Sequence, residues 1–183
     1  MTGPRRWEVL DSEKIQDCRV FSVRRARTRS PRTGGEHDFY SIESPDWVNV
    51  VALTPEREVV RVRQYRQGSR ELTLETPGGM VDPGESPADA ARRELLEETG
   101  YAADEIVALG SVNPNPALFS NRLYGFLARG ARRVADVRND STEETHVELV
   151  PFDSLRDGVR DGRFDHALVL VVFYFWELRE GRR

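Results

Sequence analysis

Glu94, Glu97 and Glu98 crowd into one short stretch, directly behind Arg93 and just ahead of Gly100. On a helix of 3.6 residues per turn they fall at i, i+3 and i+4, so three carboxylates share one face within roughly 6 Å of rise. Like charges at this spacing cost a helix a few tenths of a kcal/mol per pair, so an uncompensated cluster conflicts with its own local structure. A hard divalent cation would resolve the conflict, because oxygen-only ligation with retained waters suits such an ion. The bland alternative is a solvated acidic face.

The element that must present these carboxylates is written into its flanks. Ser86 can cap a helix, Pro87 suits the first helical position, and Asp89 suits the positive end of the dipole. Gly100 is the stop signal. The stretch from Gly79 to Tyr101 is therefore what the rest of the chain is expected to serve.

That stretch resembles the Nudix box, G-x5-E-x7-R-E-U-x-E-E-x-G-U with U a bulky apolar residue. Gly79, Glu85, Arg93, Glu94, Leu95, Glu97, Glu98, Gly100 and Tyr101 occupy its positions, Tyr101 being aromatic where an aliphatic residue is usual. With average residue usage such a match arises on the order of once per billion starting positions. The resemblance implies hydrolysis of a nucleoside diphosphate linked to another group, with Mg2+ or Mn2+ as cofactor. It casts Glu94 and Glu98 as direct metal ligands and Glu97 as the holder of a further ion or a bridging water. The Gly79 carbonyl becomes another ligand, which a residue without a Cβ permits; Gly79 is equally readable as a turn glycine in Pro77-Gly78-Gly79. Arg93 and Glu85 are implied to pair and hold the loop against the helix.

Length and composition frame this reading. The 183 residues suffice for one compact catalytic domain or a domain with a small appendage, and 38% hydrophobic with 32% charged residues is ordinary for a soluble globular protein. A net charge of -4 argues against a nucleic-acid-binding surface over the whole molecule. The single Cys18 cannot form an internal disulfide, and MTGPRRWEVL lacks the apolar core of a signal peptide, so a reducing cytoplasm is expected. The apolar run from Ala167 to Trp176 is too short to cross a bilayer and reads as a buried helix.

Within an N-terminal part of residues 1–45, Trp7 to Glu43 alternate loosely between apolar and polar, with Val20, Val23, Phe39 and Ile42 as expected inward positions and RSPRTGG as the turn between two strands. This predicts an N-terminal antiparallel sheet with a hairpin, too small to stand alone. Resemblance to ADP-ribose pyrophosphatases implies that it forms a homodimer by reaching to the partner's active site. The same hairpin carries Arg24, Arg25, Arg27, Arg29 and Arg32, readable as a charged edge that discourages aggregation or as a contribution to binding a diphosphate or a partner.

Residues 46–183 form the expected catalytic domain. VNVVAL, EVVRVRQY and ELTLE are strand candidates that lead into the box, and Ile106–Gly110, Arg122–Ala128 and HVELVPF are further ones. Two helices follow, DSLRDGVRDGRF short and amphipathic and DHALVLVVFYFWELRE packed on the sheet. Periodicity alone yields α/β or α+β; the resemblance implies the Nudix fold, an α/β/α sandwich with a mixed sheet.

The resemblance also suggests residues beyond the box. Arg66, ending QYR, stands where ADP-ribose-type members carry a phosphate-binding arginine, and is otherwise a solvated strand-end residue. Pro116 lies in the stiff loop SVNPNPALFSN at the distance from Gly100 that marks the ADP-ribose pyrophosphatase subfamily, although Ala117 replaces the usual following glycine. Pro77-Gly78-Gly79 likewise replaces the commoner Pro-Ala-Gly. The polar loop Asn139–Thr145 resembles the one that supplies a catalytic base, which makes Glu143 or Glu144 the candidate. Trp47 and Tyr40 could stack on a nucleobase, or be core or interface residues. His37, His146 and His166 lack ligand spacing. The expected reaction is cleavage of a nucleoside diphosphate sugar, ADP-ribose foremost; the alternatives are dinucleoside polyphosphates, oxidised nucleotides or capped RNA as substrates, or a non-catalytic ADP-ribose-sensing module. Neither a membrane nor a nucleic acid is an expected partner.

Overall fold

The computed structural model describes residues 3–139 and 143–180. The chain divides into two compact units, one formed by residues 1–45 and 113–122 and the other by residues 46–112 and 123–183.

In the first unit β1 (Glu8–Asp17), β2 (Ser22–Arg29) and β3 (Glu36–Glu43) form an antiparallel sheet in the order β1-β2-β3. The turn RSPRTGG closes by Ser30 N–H donating to Gly35 O (2.8 Å), with Gly34 in the left-handed region at φ 72°. Phe39 and Val20, expected inward, are about half exposed, while Val23 and Ile42 are partly buried. A single sheet has no second layer of its own to bury them. Trp7 covers Phe39 edge-on at 5.3 Å between ring centroids. The segment 113–122, which sequence order placed with the catalytic domain, packs with this unit: Ile42 N–H donates to Leu118 O (2.8 Å), Ser120 N–H to Ile42 O (3.1 Å) and Asn121 Nδ2 to Pro45 O (2.9 Å).

The second unit contains β4 (Trp47–Leu53), β5 (Glu58–Arg66), β6 (Glu71–Glu75), β7 (Gly78–Met80), α1 (Pro87–Thr99), β8 (Tyr101–Ala102), β9 (Glu105–Val112), β10 (Leu123–Arg129), β11 (Arg132–Arg133), β12 (Thr145–Pro151), α2 (Ser154–Arg160) and α3 (Ala167–Glu180). Its main sheet runs β12-β5-β4-β10-β9, with β6 added on β5 and β7 on β4. The β4–β10 pair is parallel and the others are antiparallel, so the sheet is mixed.

Alternation along the strands builds a core on each face. Val48, Val50 and Ala52 of β4, Val60, Phe126 and Ala128 pack against Ala90, Ala91 and Leu95 of α1. On the opposite face Val51, Val59, Leu74, Leu123 and Leu127 meet Leu155 of α2 and Val169, Val172, Phe173 and Trp176 of α3. These last four recur at i, i+3, i+4 and i+7, one helical stripe, with each fully buried side chain of this kind contributing about 1.5–3 kcal/mol. The result is an α/β/α sandwich. α3 differs from the fully buried helix expected of its apolar run: Tyr174 is 60% exposed, because only one stripe can face the sheet.

α1 forms as its flanks dictate. Ser86 is extended (φ -78°, ψ 149°) and its side chain accepts from Asp89 N–H at 3.2 Å; Pro87 opens the helix. Gly100 ends it at φ 73°, its N–H donating to Leu96 O at 2.8 Å.

Candidate active site

Three buried alanine and leucine positions anchor one face of α1, which turns Glu94 and Glu98 toward the β7 turn. Glu98 is 3% exposed and its Oε2 accepts from Gly78 N–H at 2.9 Å. Burial pushes its carboxyl up to about 8, against the opposing pull of the Gly78 N–H, and the charges of Glu94 and Glu143 push the same way as burial. Burial also raises Glu94, partly offset by its hydrogen bond from Arg93. A Cβ on Gly79 would lie 2.4 Å from Glu94 Oε1, so glycine is what lets this backbone meet the carboxylate. Glu97 stands apart, about half exposed and turned to Arg93 at 3.3 Å.

Arg93 holds the loop to the helix. Its fork donates to both oxygens of Glu85 (3.0 and 2.9 Å), and it also reaches Glu94 Oε1 (2.8 Å) and Met80 O (2.9 Å). Glu85 in turn accepts from Asp82 N–H at 3.1 Å, and the Arg93 fork draws its carboxyl below the usual range.

From the sheet side comes Arg66, at the end of β5. Its Nε and Nη2 both donate to Glu75, at 2.7 Å each, which leaves Nη1 outside the fork. Glu98 and Glu143 are close enough that their charges act on the guanidinium. Of the two candidate bases, Glu143 is the one whose charge acts on Glu94, Glu98 and Arg66 alike. Residues 140–142 of its loop lie outside the described residues. On either side of them the chain is tied to the last turn of α1: Arg138 N–H donates to Glu97 O (2.8 Å), and Thr145 Oγ1 bonds Glu98 O and Asn139 Oδ1 (2.9 Å each).

The second unit thus brings together Gly79, Glu85, Arg93, Glu94, Glu98, Arg66 and Glu143. Trp47 packs with the α2–α3 core on the other face of the sheet, and Tyr40 and Pro116 belong to the first unit. Sequence reasoning missed Glu75, Thr73 and Asn49. The legible signal for the first two was phase: Thr73 and Glu75 pair with Gln64 and Val62 on β5 and all four are buried, so two polar residues occupy the inward register of ELTLE.

The all-oxygen donor set fits a hard divalent ion. Among the described residues no three His, Cys, Asp or Glu side chains converge to hold an ion by themselves. Buried Glu98 and partly buried Glu94 beside a glycine backbone would offer such an ion a partial set of oxygen ligands, with substrate phosphates supplying the rest.

Residues 44–170, more than half of the chain, match the model of the NUDIX domain. The chain belongs to the Nudix family. Among its relatives are the methanol dehydrogenase activator of Bacillus methanolicus, 27% identical over 95% of this chain and 94% of that protein, and the ADP compounds hydrolase NudE of Escherichia coli, 28% identical over 95% of each. A crystal structure of an ADP compounds hydrolase matches the fold with a TM-score of 0.86 at 23% identity, covering 100% of both chains. The protein is a Nudix pyrophosphohydrolase with the α/β Nudix fold.

Proposed function

We propose that this Nudix hydrolase cleaves the diphosphate bond of nucleoside diphosphate sugars, ADP-ribose foremost, to a nucleoside monophosphate and a sugar phosphate. The observation that carries the reading is a buried and a partly buried glutamate, both raised, on one helix face, with an arginine forked onto Glu75 close enough to act on Glu98. Glu94, Glu98 and the Gly79 backbone hold the cation, Mg2+ or Mn2+, with exposed Glu97 available for a further ion or a bridging water. When bound, that cation neutralises the diphosphate and lowers the pKa of the attacking water. Arg66 takes a phosphate oxygen through Nη1. Glu143 accepts the proton from water, and Glu144 is the neighbouring substitute. Arg93 and Glu85 keep the loop and helix in register.

ADP-ribose is favoured within this class by Arg66 and Pro116 and by the full-length likeness to a hydrolase named for ADP compounds. We further propose a homodimer built on the N-terminal sheet, supported by the exposure of Trp7, Val9 and Phe39, with Tyr40 and Pro116 contributing to substrate binding there. A reducing cytoplasm suits the single free Cys18; among the described residues no helix is long and apolar enough to cross a membrane.

The test is product analysis with Mg2+ and, separately, ADP-ribose, GDP-mannose, UDP-glucose, a diadenosine polyphosphate, dGTP and capped RNA. Release of nucleoside monophosphate and sugar phosphate from the first three is the expected result, fastest from ADP-ribose. Cleavage of the others alone would overturn the substrate class. Tight ADP-ribose binding with no product would point to a sensing module.

A further inference from the structure

Glu75 is 2% exposed, deep in the sheet, and nothing in the box accounts for a buried carboxylate there. Both of its oxygens are occupied: Oε1 by Arg66 Nε (2.7 Å) and by the Thr73 hydroxyl (2.6 Å), Oε2 by Arg66 Nη2 (2.7 Å). Three donors fill most of its roughly four acceptor sites and engage both oxygens, so it is committed to Arg66 and Thr73. The pair is set by the β5–β6 hairpin, where Arg66 and Glu71 are opposite each other at its mouth and Gln64 faces Thr73. An arginine side chain is long and flexible, and a two-point fork to a fixed carboxylate removes that freedom before any ligand arrives. Since the fork uses Nε and Nη2, it fixes the plane of the guanidinium and leaves Nη1 as the nitrogen outside it.

We infer that Glu75, locked by Thr73, is a positioning residue that pre-sets Arg66 for a phosphate oxygen of the substrate. The inference rests on the functional reading above in assigning Arg66 to a diphosphate. Its consequence is specific: loss of Glu75 weakens binding, whereas loss of a mere packing residue lowers the amount of folded enzyme.

The experiment measures kcat and KM for ADP-ribose with Mg2+ in the full chain, together with calorimetric binding of Mg2+-pyrophosphate. Wild type is compared with Glu75→Gln, Thr73→Val, Thr73→Ser, Arg66→Ala and the Arg66→Ala/Glu75→Gln pair. Glu75→Gln is expected to raise KM about 10-fold with a much smaller change in kcat, in the range of losing a supporting contact. Thr73→Val should give a smaller rise that Thr73→Ser restores. In the Arg66→Ala background Glu75→Gln should add nothing to KM or to pyrophosphate affinity.

An unchanged KM and pyrophosphate affinity in folded Glu75→Gln would overturn the inference, as would independent addition of the two substitutions. If Glu75→Gln does not fold, Thr73→Val and its serine rescue decide the matter alone, no KM change in Thr73→Val counting against it. If wild type binds pyrophosphate but releases no product from ADP-ribose, the functional reading fails, and the pyrophosphate affinities still test the positioning role.

Discussion

Charge is handled in opposite ways on the N-terminal sheet and on α1. Across the N-terminal sheet the clustered arginines of β2 meet acids of neighbouring strands: Arg24 meets Glu43 (2.8 Å), Arg25 meets Glu13 (2.6 Å), Arg27 meets Glu36 (2.8 Å), and Arg29 meets both Glu8 and Glu36 (3.0 Å each). These pairs are solvent-exposed and matched, a ladder that neutralises itself and leaves little reason to assign the hairpin to diphosphate binding. On α1 the acids outnumber their partners. Among the described residues Arg93 is shared by Glu85, Glu94 and Glu97, and Glu98 accepts from the Gly78 backbone N–H. Matched exposed charges cost little and contribute little, whereas buried like charges are held against their own solvation. A fold keeps the second arrangement where a ligand repairs it.

Glu98→Gln breaks this contrast at its strongest point. The amide still accepts from Gly78 N–H, so the fold should persist, while hydrolysis should fall by at least about 100-fold, the upper range for losing even an outer partner of a metal site. Rates measured beside circular dichroism spectra check both halves; full activity in the variant would remove Glu98 from the cation site. Gly79→Ala comes next. Its Cβ would fall 2.4 Å from the Glu94 carboxylate, which can swing aside, so a loss of activity of roughly 10-fold with a nearly unchanged melting temperature is expected.

Gly78→Ala reverses that signature. There the Cβ would meet Val48 O and Asn49 Oδ1 at 2.2 Å each, and a strand carbonyl cannot swing away. Chemical denaturation should show a loss of about 1–3 kcal/mol, as for overpacking. Arg27→Gln, in the matched ladder, is the smallest effect: a melting temperature within about 2 °C of wild type and unchanged kcat.

These four positions also show what the sequence could reveal. α1 was legible almost residue by residue, because caps, the stop glycine and the spacing of its glutamates are local features. The strands entering the box were legible from their runs of Val and Leu. What escaped depends on register between distant segments. The Arg66–Glu75 fork exists because β5 and β6 pair in one phase, and Gly78 is required because β7 lies on β4 beside Asn49. Residues 113–122 read as a loop of the catalytic domain since nothing in NPNPALFSN announces hydrogen bonds to Ile42. Phe39 read as inward because alternation identifies a face without saying whether anything covers it. The choice between Glu143 and Glu144 likewise depends on the fold, in which the charge of Glu143 acts on Glu94 and Glu98.

On this reading the unmatched carboxylates of α1 are tolerated for the sake of a cation. Glu98 is raised from 4.5 to about 8, so its contribution to stability is fully present below about pH 4.5 and is lost as pH rises through about 8. The carboxyls that folding lowers, among them Glu75, Glu85 and Glu148, act in the acid range below that window. The most direct measurement is the melting temperature of metal-free wild type and Glu98→Gln between about pH 5 and 8.5, with and without Mg2+. Metal-free wild type should lose stability toward pH 8.5 and recover it on adding Mg2+, while Glu98→Gln should show a clearly smaller loss and recovery, the remainder coming from Glu94. Equal responses of the two proteins to pH and to Mg2+ would contradict the claim.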